Sequence, residues 1–493
     1  MKYFIAIDQS TSATKAILFN KKGQVVHREN VPHQQYYPKA GWVEHDAEEI
    51  FENTLLAVRL LLENNEIKQQ DILSVSITNQ RETVVVWDKN TGKPVYHAIV
   101  WQCQRGASIC EKLKNGGYEN TIKEKAGLLV DPYFSASGVQ WILEEVKEAR
   151  LLADKGELLM GTMDSWLIWK LTQGKVHATD YTNASRTLLF NIHTCNWDEI
   201  LLELFSVPPT MLPEPRPSDS VYGNTTFLGY FTHEIPIAGV IGDSHGALVG
   251  QMCYDKGMGK ATYGTGSSVM INIGETPQLA PEGLVTSVGF AACNKVYYVY
   301  EGNIHCTGAT LNWLKEEVKL IEHRYATDEI AYSIPDNGGV YLVPAFAGLG
   351  APWWNSRAKA IISGLTLGTG KAHIVRAALE AIAYQIKDLI DVITQKAAIE
   401  LKELRVDGGP TKNKFLMQFQ SDMINAPINK LSIEEASAFG AVIMGGLGLK
   451  VWKDLEEVSK LRGIDNFYYP TMENAQRENL YNGWKEAVEL INK

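Results

Sequence analysis

The chain has 493 residues, 45% of them hydrophobic, which is more than one core usually organises, so two or three domains are expected. Its formal net charge is −10 and no basic block offsets it, so the footprint that a nucleic acid or an anionic membrane surface needs is missing. The opening residues MKYFIAID lack the order of a secretion signal and no apolar run approaches a membrane span, so a cytoplasmic protein with a small-molecule partner and no membrane insertion is expected.

Six cysteines (Cys103, Cys110, Cys195, Cys253, Cys293 and Cys306) are scattered without CxxC pairs or His-spaced sets, which argues against a disulfide framework and against a zinc site. Reduced, mostly buried thiols are expected.

In chain order, the apolar runs at residues 2–7 and 16–19 flank the polar loop DQSTSATK and predict a hairpin. Asp46 with Glu49 three residues on looks like a capping box, and Ile50, Leu55, Val58, Leu61 and Leu62 recur at helical spacing behind it. Residues 72–77, 84–87 and 98–101 read as further strands. In the second half, residues 260–263 and 269–273 flank Gly264-Thr265-Gly266-Ser267, so a strand, small-residue turn and strand recur and the chain looks duplicated at coarse scale. A helix over 374–396 carries Val375, Leu379, Ile382, Ile386, Leu389 and Ile393 in one core stripe. Residues 404–406 then lead through Asp407-Gly408-Gly409-Pro410 into an amphipathic stretch with Phe415, Leu416, Phe419 and Met423, predicting a helix that begins near an early proline. No linker separates the halves. The boundary is placed near Gly250, giving domains 1–250 and 251–493 with a ligand cleft and hinge closure between them.

Three loops carry candidate phosphate chemistry. DQSTSATK offers Thr11, Ser12 and Thr14 hydroxyls, turn amides, Lys15, and Asp8 at a strand end, which suits a nucleoside triphosphate and its magnesium; a plain Ser/Thr-rich turn is the alternative. TYGTGS supplies glycines for close approach and Thr265 as a donor, and VDGGPTKN offers glycines against which a flat base can lie, before a helix N-terminus. Neither glycine loop is a Walker A sequence.

In this order the loops match the phosphate-one, phosphate-two and adenosine segments of the actin and hexokinase superfamily, and within it the chain resembles the FGGY carbohydrate kinases, in particular their glycerol kinase branch. The blocks that carry the resemblance span nearly the whole chain: YPKAGWVEHD, ITNQRETVVVWD, AIVWQCQR, GLLVDPYFSAS, DSWLIWKLT, TDYTNASRTLLFNIH, TYGTG, VYLVPAFAGLGAPWW, RVDGG and NKFLMQFQSD. The resemblance implies an α/β protein of two actin-like (ribonuclease H-like) domains around a catalytic cleft. It implies ATP and Mg2+ as cofactors, a polyol or sugar as substrate, and a homodimer or homotetramer.

Residue by residue, the resemblance implies Asp243 in GDSHGAL as the base that takes the acceptor proton. It implies Arg81, Glu82, Trp101 and Tyr133 as the acceptor pocket, and Asp8 with Asp243 toward the magnesium. From the residues alone, Asp243 also suits a turn or cap, Arg81 with Glu82 a structural ion pair, and Trp101 plain core. The nucleotide roles fall on Thr11, Ser12, Ala13, Lys15, Thr265, Gly308, Asn312, Gly409 and Asn413. Ala13 and Asn312 depart from the usual serine and glutamine, and Lys15 replaces an arginine, keeping charge but losing the bidentate fork.

The acceptor pocket departs further. Ser244 stands where a glutamine is usual, Ser268 where an aromatic residue is usual, and Gly138 where a lysine is usual. Two serines in place of bulk widen the pocket and leave hydroxyls needing partners. Glycerol and a longer polyol or ketose (erythritol, threitol, a pentitol, xylulose or ribulose) both stay open, beside a non-catalytic actin-like ligand sensor.

Overall fold

Strand β1 (Tyr3–Gln9) is buried from Phe4 onward and apolar through Ile7, as a central strand flanked on both faces must be, and it turns back into β2 (Ala13–Asn20). The computed structural model describes residues 2–323, 326–355, 357–396, 398–430, 435–461 and 466–492. β3 (Val25–Pro32) continues the antiparallel meander, α1 (Ala47–Glu63) crosses over, and β4 (Ile72–Asn79) returns parallel to β1. Asp46 caps α1 by accepting the Glu48 and Glu49 amides at 2.9 and 3.3 Å. The Glu49 carboxylate accepts the Gln34 amide at 3.2 Å instead of closing the reciprocal box.

A separate four-stranded sheet joins Glu44–His45, from just before α1, to Ala98–Ile99, Val84–Asp88 and Leu158–Thr162, from between β4 and the next core strand. The strand expected at 98–101 ends at Ile99, because Val100 and Trp101 turn out of the ladder. Helix α2 (Ser135–Glu145) packs on this sheet at Gly138, where a Cβ would already touch Ile99 and Val84 at 3.4 Å. A lysine stem there would point into the apolar layer, which accounts for the glycine.

Strand β5 (Ile235–Gly242) lies parallel to β4 and runs directly into α3 (Asp243–Gly250). The first sheet therefore reads β3-β2-β1-β4-β5, with Val221–Thr225 outside β5. The second sheet repeats this order. β6 (Met258–Tyr263), β7 (Ser267–Gly274) and β8 (Lys295–Ile304) form the meander, and β9 (Glu403–Gly408) and β10 (Ile428–Lys430) return parallel, giving β8-β7-β6-β9-β10 between two outer strands. The duplication read from the loops is a repeat of topology.

Helix α4 (Gly308–Glu316) follows β8, and α5 (Lys371–Asp391) is the long core helix, beginning three residues earlier than the stripe suggested and ending in a wider turn over Val392–Lys396. Pro410 opens a 3-10 turn (Gly409–Lys412), not the helix itself; α6 (Lys414–Ile424) starts behind Asn413, whose side chain accepts the Leu416 amide at 2.7 Å. All six cysteines are free, and no helix among the described residues is long and apolar enough to cross a membrane.

Helix α7 (Ala436–Gly448) carries the chain from the second sheet back onto the first. Its Phe439, Val442 and Met444 share one buried cluster with Phe4 and Phe19 of the first sheet, Leu248 of α3, and Met270 and Val299 of the second sheet. α3 and α7 cross backbone to backbone, since a Cβ on Gly440 would lie 2.0 Å from the Gly246 carbonyl and one on Gly250 2.0 Å from the Ala436 carbonyl. The crossing holds the start of α3, and so Asp243, against both sheets. Gly440→Val, which would force the helices apart, is expected to cost roughly 3 kcal/mol or more, read as a lowered urea midpoint.

Candidate active site

The first loop closes the β1–β2 hairpin and sets Asp8 opposite Lys15 in the ladder. The Lys15 amine lies 3.8 Å from Asp8 Oδ2 and 2.8 Å from Glu435 Oε2, while Arg28 lies 3.4 Å from the other Glu435 oxygen. Burial, only partly opposed by Lys15, pushes the Asp8 carboxyl up to about 7, and the facing charges of Glu435 and Asp243 add to the rise. The Thr11 hydroxyl is engaged by the Trp101 indole N–H, which donates to it at 3.1 Å; Ser12 is exposed at the tip and Ala13 is buried at the start of β2.

The second loop joins β6 to β7 and leaves Thr265 exposed. Its carbonyls are gripped from below: Gly308 N–H donates to Gly264 O at 3.0 Å, and Thr307 and Ala309 donate to Thr265 O at 2.9 and 3.0 Å. A Cβ on Gly308 would stand 2.5 Å from Gly264 O, so the residue works as a close-approach glycine at the head of α4.

The third loop lies beside the second, because Gly408 pairs with Tyr263 in the parallel ladder. Gly408 has φ +97° and a Cβ there would meet Tyr263 O at 2.1 Å, so only glycine fits. Gly409 faces open space, at a cavity of about 480 Å3 that Leu311, Lys315, Thr327 and Asn413 also line. Asn413 spends its amide on structure, capping α6 and donating to Thr327 at 2.9 Å. Asn312 on α4 keeps a buried side-chain oxygen without a partner among the described residues.

The residues expected at the acceptor converge on a chain of buried charges. Arg81 donates to both Glu301 oxygens at 3.0 and 2.9 Å, and its Nε lies 3.2 Å from Asp243 Oδ1. Glu82 sits in the left-handed region at φ +62° and accepts Arg186 Nε at 2.6 Å, and Arg186 Nη1 lies 2.8 Å from Glu301. Burial works to raise the Glu301 carboxyl, yet the Arg186 and Arg81 guanidiniums hold it well below the usual carboxylate range. Arg81 and Glu82 are not chiefly each other's partners; their closest approach is 3.9 Å.

Tyr133 meets Trp101 edge to face at 5.5 Å between ring centres, and burial raises its phenol well above the ordinary value. Asp243, the first residue of α3, accepts the Ser244 amide at 2.6 Å and keeps its side chain 40% exposed, the most open carboxylate of the group. Ser244 is half-buried behind it, and the buried His245 faces Arg81 Nη1 at 3.5 Å and the Ser287 hydroxyl at 3.2 Å. Burial and then Arg81 push His245 far below the usual imidazole value, so it is neutral. Ser268 on β7 stands opposite Thr262, and Lys260 Nζ donates to both hydroxyls at 3.3 Å.

Sequence reasoning missed Arg186, Lys260, Glu301 and Glu435. A signal was present for two of them: Glu301 ends the run VYYVYE and Lys260 interrupts a buried strand, and a charge in an apolar strand must be paired to be buried. Among the described residues no group of three or more His, Cys, Asp or Glu side chains has the geometry to hold a metal.

Residues 3–250 match the model of the FGGY family of carbohydrate kinases, N-terminal domain, and residues 259–449 match the C-terminal domain of the same family. The chain belongs to the FGGY family of carbohydrate kinases. It is 54% identical to glycerol kinase 1 of Thermotoga maritima, with 99% of each chain covered. It is 48% identical to a glycerol kinase of Bacillus cytotoxicus, covering 99% of this chain and 98% of that one. Among solved structures it superposes on Plasmodium falciparum glycerol kinase with ADP at TM-score 0.95 and 37% identity, covering 100% of this chain and 98% of that one. A ligand-bound xylulose kinase from Lactobacillus acidophilus shares the fold at TM-score 0.90 and 21% identity, covering 99% and 98%. The protein is thus a kinase with the two-domain actin-like fold of this family.

Glu301 is the shared counter-charge of Arg81 and Arg186. Glu301→Gln, by leaving buried guanidiniums underpaired, is expected to cost about 3 to 5 kcal/mol of folding stability, read from urea unfolding. An unchanged midpoint would show that the two arginines are satisfied without it.

Proposed function

We propose that the protein transfers the terminal phosphoryl group of ATP to a terminal hydroxyl of a small polyol, glycerol being the acceptor named for its relatives. The observation that carries this reading is the open carboxylate of Asp243, oriented by buried Arg81 at 3.2 Å and lying at the head of α3.

The two domains, 1–250 and 251–493, share the work. Ser12, the Ala13 backbone, Thr265 and Lys15 meet the phosphates, together with Thr11, whose hydroxyl accepts from the Trp101 indole and keeps its own proton to donate. Gly308 supports the second loop from below, Gly409 and Asn413 border the nucleoside cavity, and Asn312, on the same helix as the lining residues Leu311 and Lys315, offers its buried side-chain oxygen to the nucleotide. For Lys15 to turn toward a phosphate it must loosen its 2.8 Å contact with Glu435.

Arg81, Glu82 and Tyr133 hold the acceptor hydroxyls and Trp101 walls the carbon chain. The acceptor oxygen attacks the terminal phosphorus in line, its proton passes to Asp243, the bond to the bridging oxygen breaks, and ADP leaves with that electron pair. Asp8 and Asp243 suit a magnesium ion, since Asp8 is a buried carboxylate that faces Asp243 and whose ionisation burial opposes. When bound, the ion neutralises phosphate charge.

Asp243→Asn is expected to lower kcat by roughly 10² to 10⁴ while leaving ATP affinity within a few-fold, measured by coupled ADP release and by calorimetry. An Asn variant with near-native kcat would remove the base from this reading.

A further inference from the structure

Lys260 is a fully buried lysine that the proposed mechanism leaves without a role. Its strand packs against α3, and its amine feels the charges of Asp407, Glu301, Arg81 and Asp243, the last two of which the proposed mechanism places around the acceptor. No carboxylate lies within ion-pair distance of it among the described residues; its two hydrogen bonds go to the hydroxyls of Thr262 and Ser268.

The second of these bonds decides what Ser268 can do. An amine that donates to a serine oxygen occupies one of its lone pairs and turns the serine proton outward. No described residue accepts that proton, and Ser268 is half-exposed. A hydroxyl that accepts from a buried amine is also the stronger donor for it. Ser268 is therefore a donor without a partner, held in one orientation on a rigid strand.

Three acceptor oxygens are already matched by Arg81 with Glu82, by Tyr133 and by Asp243, if the kinase reading holds. Closing the pocket over a three-carbon polyol leaves the Ser268 donor unmatched, whereas one more oxygen on the acceptor satisfies it. On that reading, we propose that Ser268 is a specificity-determining residue that binds a fourth acceptor oxygen, with Lys260 as its positioning residue, and that the acceptor class extends to four-carbon and longer polyols.

The test compares erythritol with butane-1,2,3-triol, which has the same carbon chain but lacks the terminal fourth oxygen. The native protein is expected to favour erythritol in kcat/KM by about tenfold or more. Ser268→Ala and Lys260→Met are expected to bring the ratio close to one, and Ser268→Thr, which keeps the hydroxyl, to preserve most of it. A native ratio near one, or a ratio that survives Ser268→Ala, overturns the proposal. Should Lys260→Met not fold, the Ala and Thr variants at Ser268 decide alone. If no acceptor, glycerol included, supports ATP consumption, the kinase reading fails; calorimetric binding of the same two triol and tetrol probes then tests the Ser268 contact by itself.

Discussion

Glu301 reaches from β8 of the second sheet to hold Arg81, which follows β4 of the first, and Arg186, which follows the short helix Tyr181–Ala184. Three segments far apart in the chain are thereby tied at one buried carboxylate. A lone guanidinium or carboxylate could not be buried there, so each charge requires the others, and together they align Glu82 and Asp243. The pocket is rigid for electrostatic reasons before any ligand arrives.

A second constraint is steric. The α3–α7 crossing works only because Gly246, Gly250 and Gly440 let two backbones touch, and it brings a helix from late in the chain onto the first sheet. The residue just before that helix, Glu435, meets Lys15, so the first hairpin is charge-balanced by a residue more than 400 positions away. The first hairpin at Lys15 and the start of α7 are thus linked through one ion pair.

Ser244 and Ser268, the two serines proposed to line the acceptor pocket, differ in what surrounds them. Ser244 follows Asp243 on α3 and donates its backbone amide to that carboxylate, so its placement follows from the helix start. Ser268 accepts a hydrogen bond from a fully buried lysine, eight positions earlier and one strand across. Pocket chemistry here depends on side chains behind the wall as well as on those that form it.

Much of the fold was legible in the sequence, because strand and helix periodicities and the three small-residue loops are local. The hairpin at Asp8–Lys15, the repeated strand-turn-strand unit, the cap at Asp46 and the long core helix each follow from neighbours within a few residues. The residues Arg81, Glu82, Trp101, Tyr133 and Asp243 could be named from motifs, but their partners could not. Which charge pairs with which, that Asn413 spends its amide on Thr327, that Thr11 is bound by Trp101, and that a buried Lys260 meets Ser268 depend on contacts made between separate elements, some of them hundreds of residues apart. Hydrophobic patterning and turn chemistry act along the chain and are written in its order; burial of charge is settled only where the folded chain brings opposite groups together and excludes water.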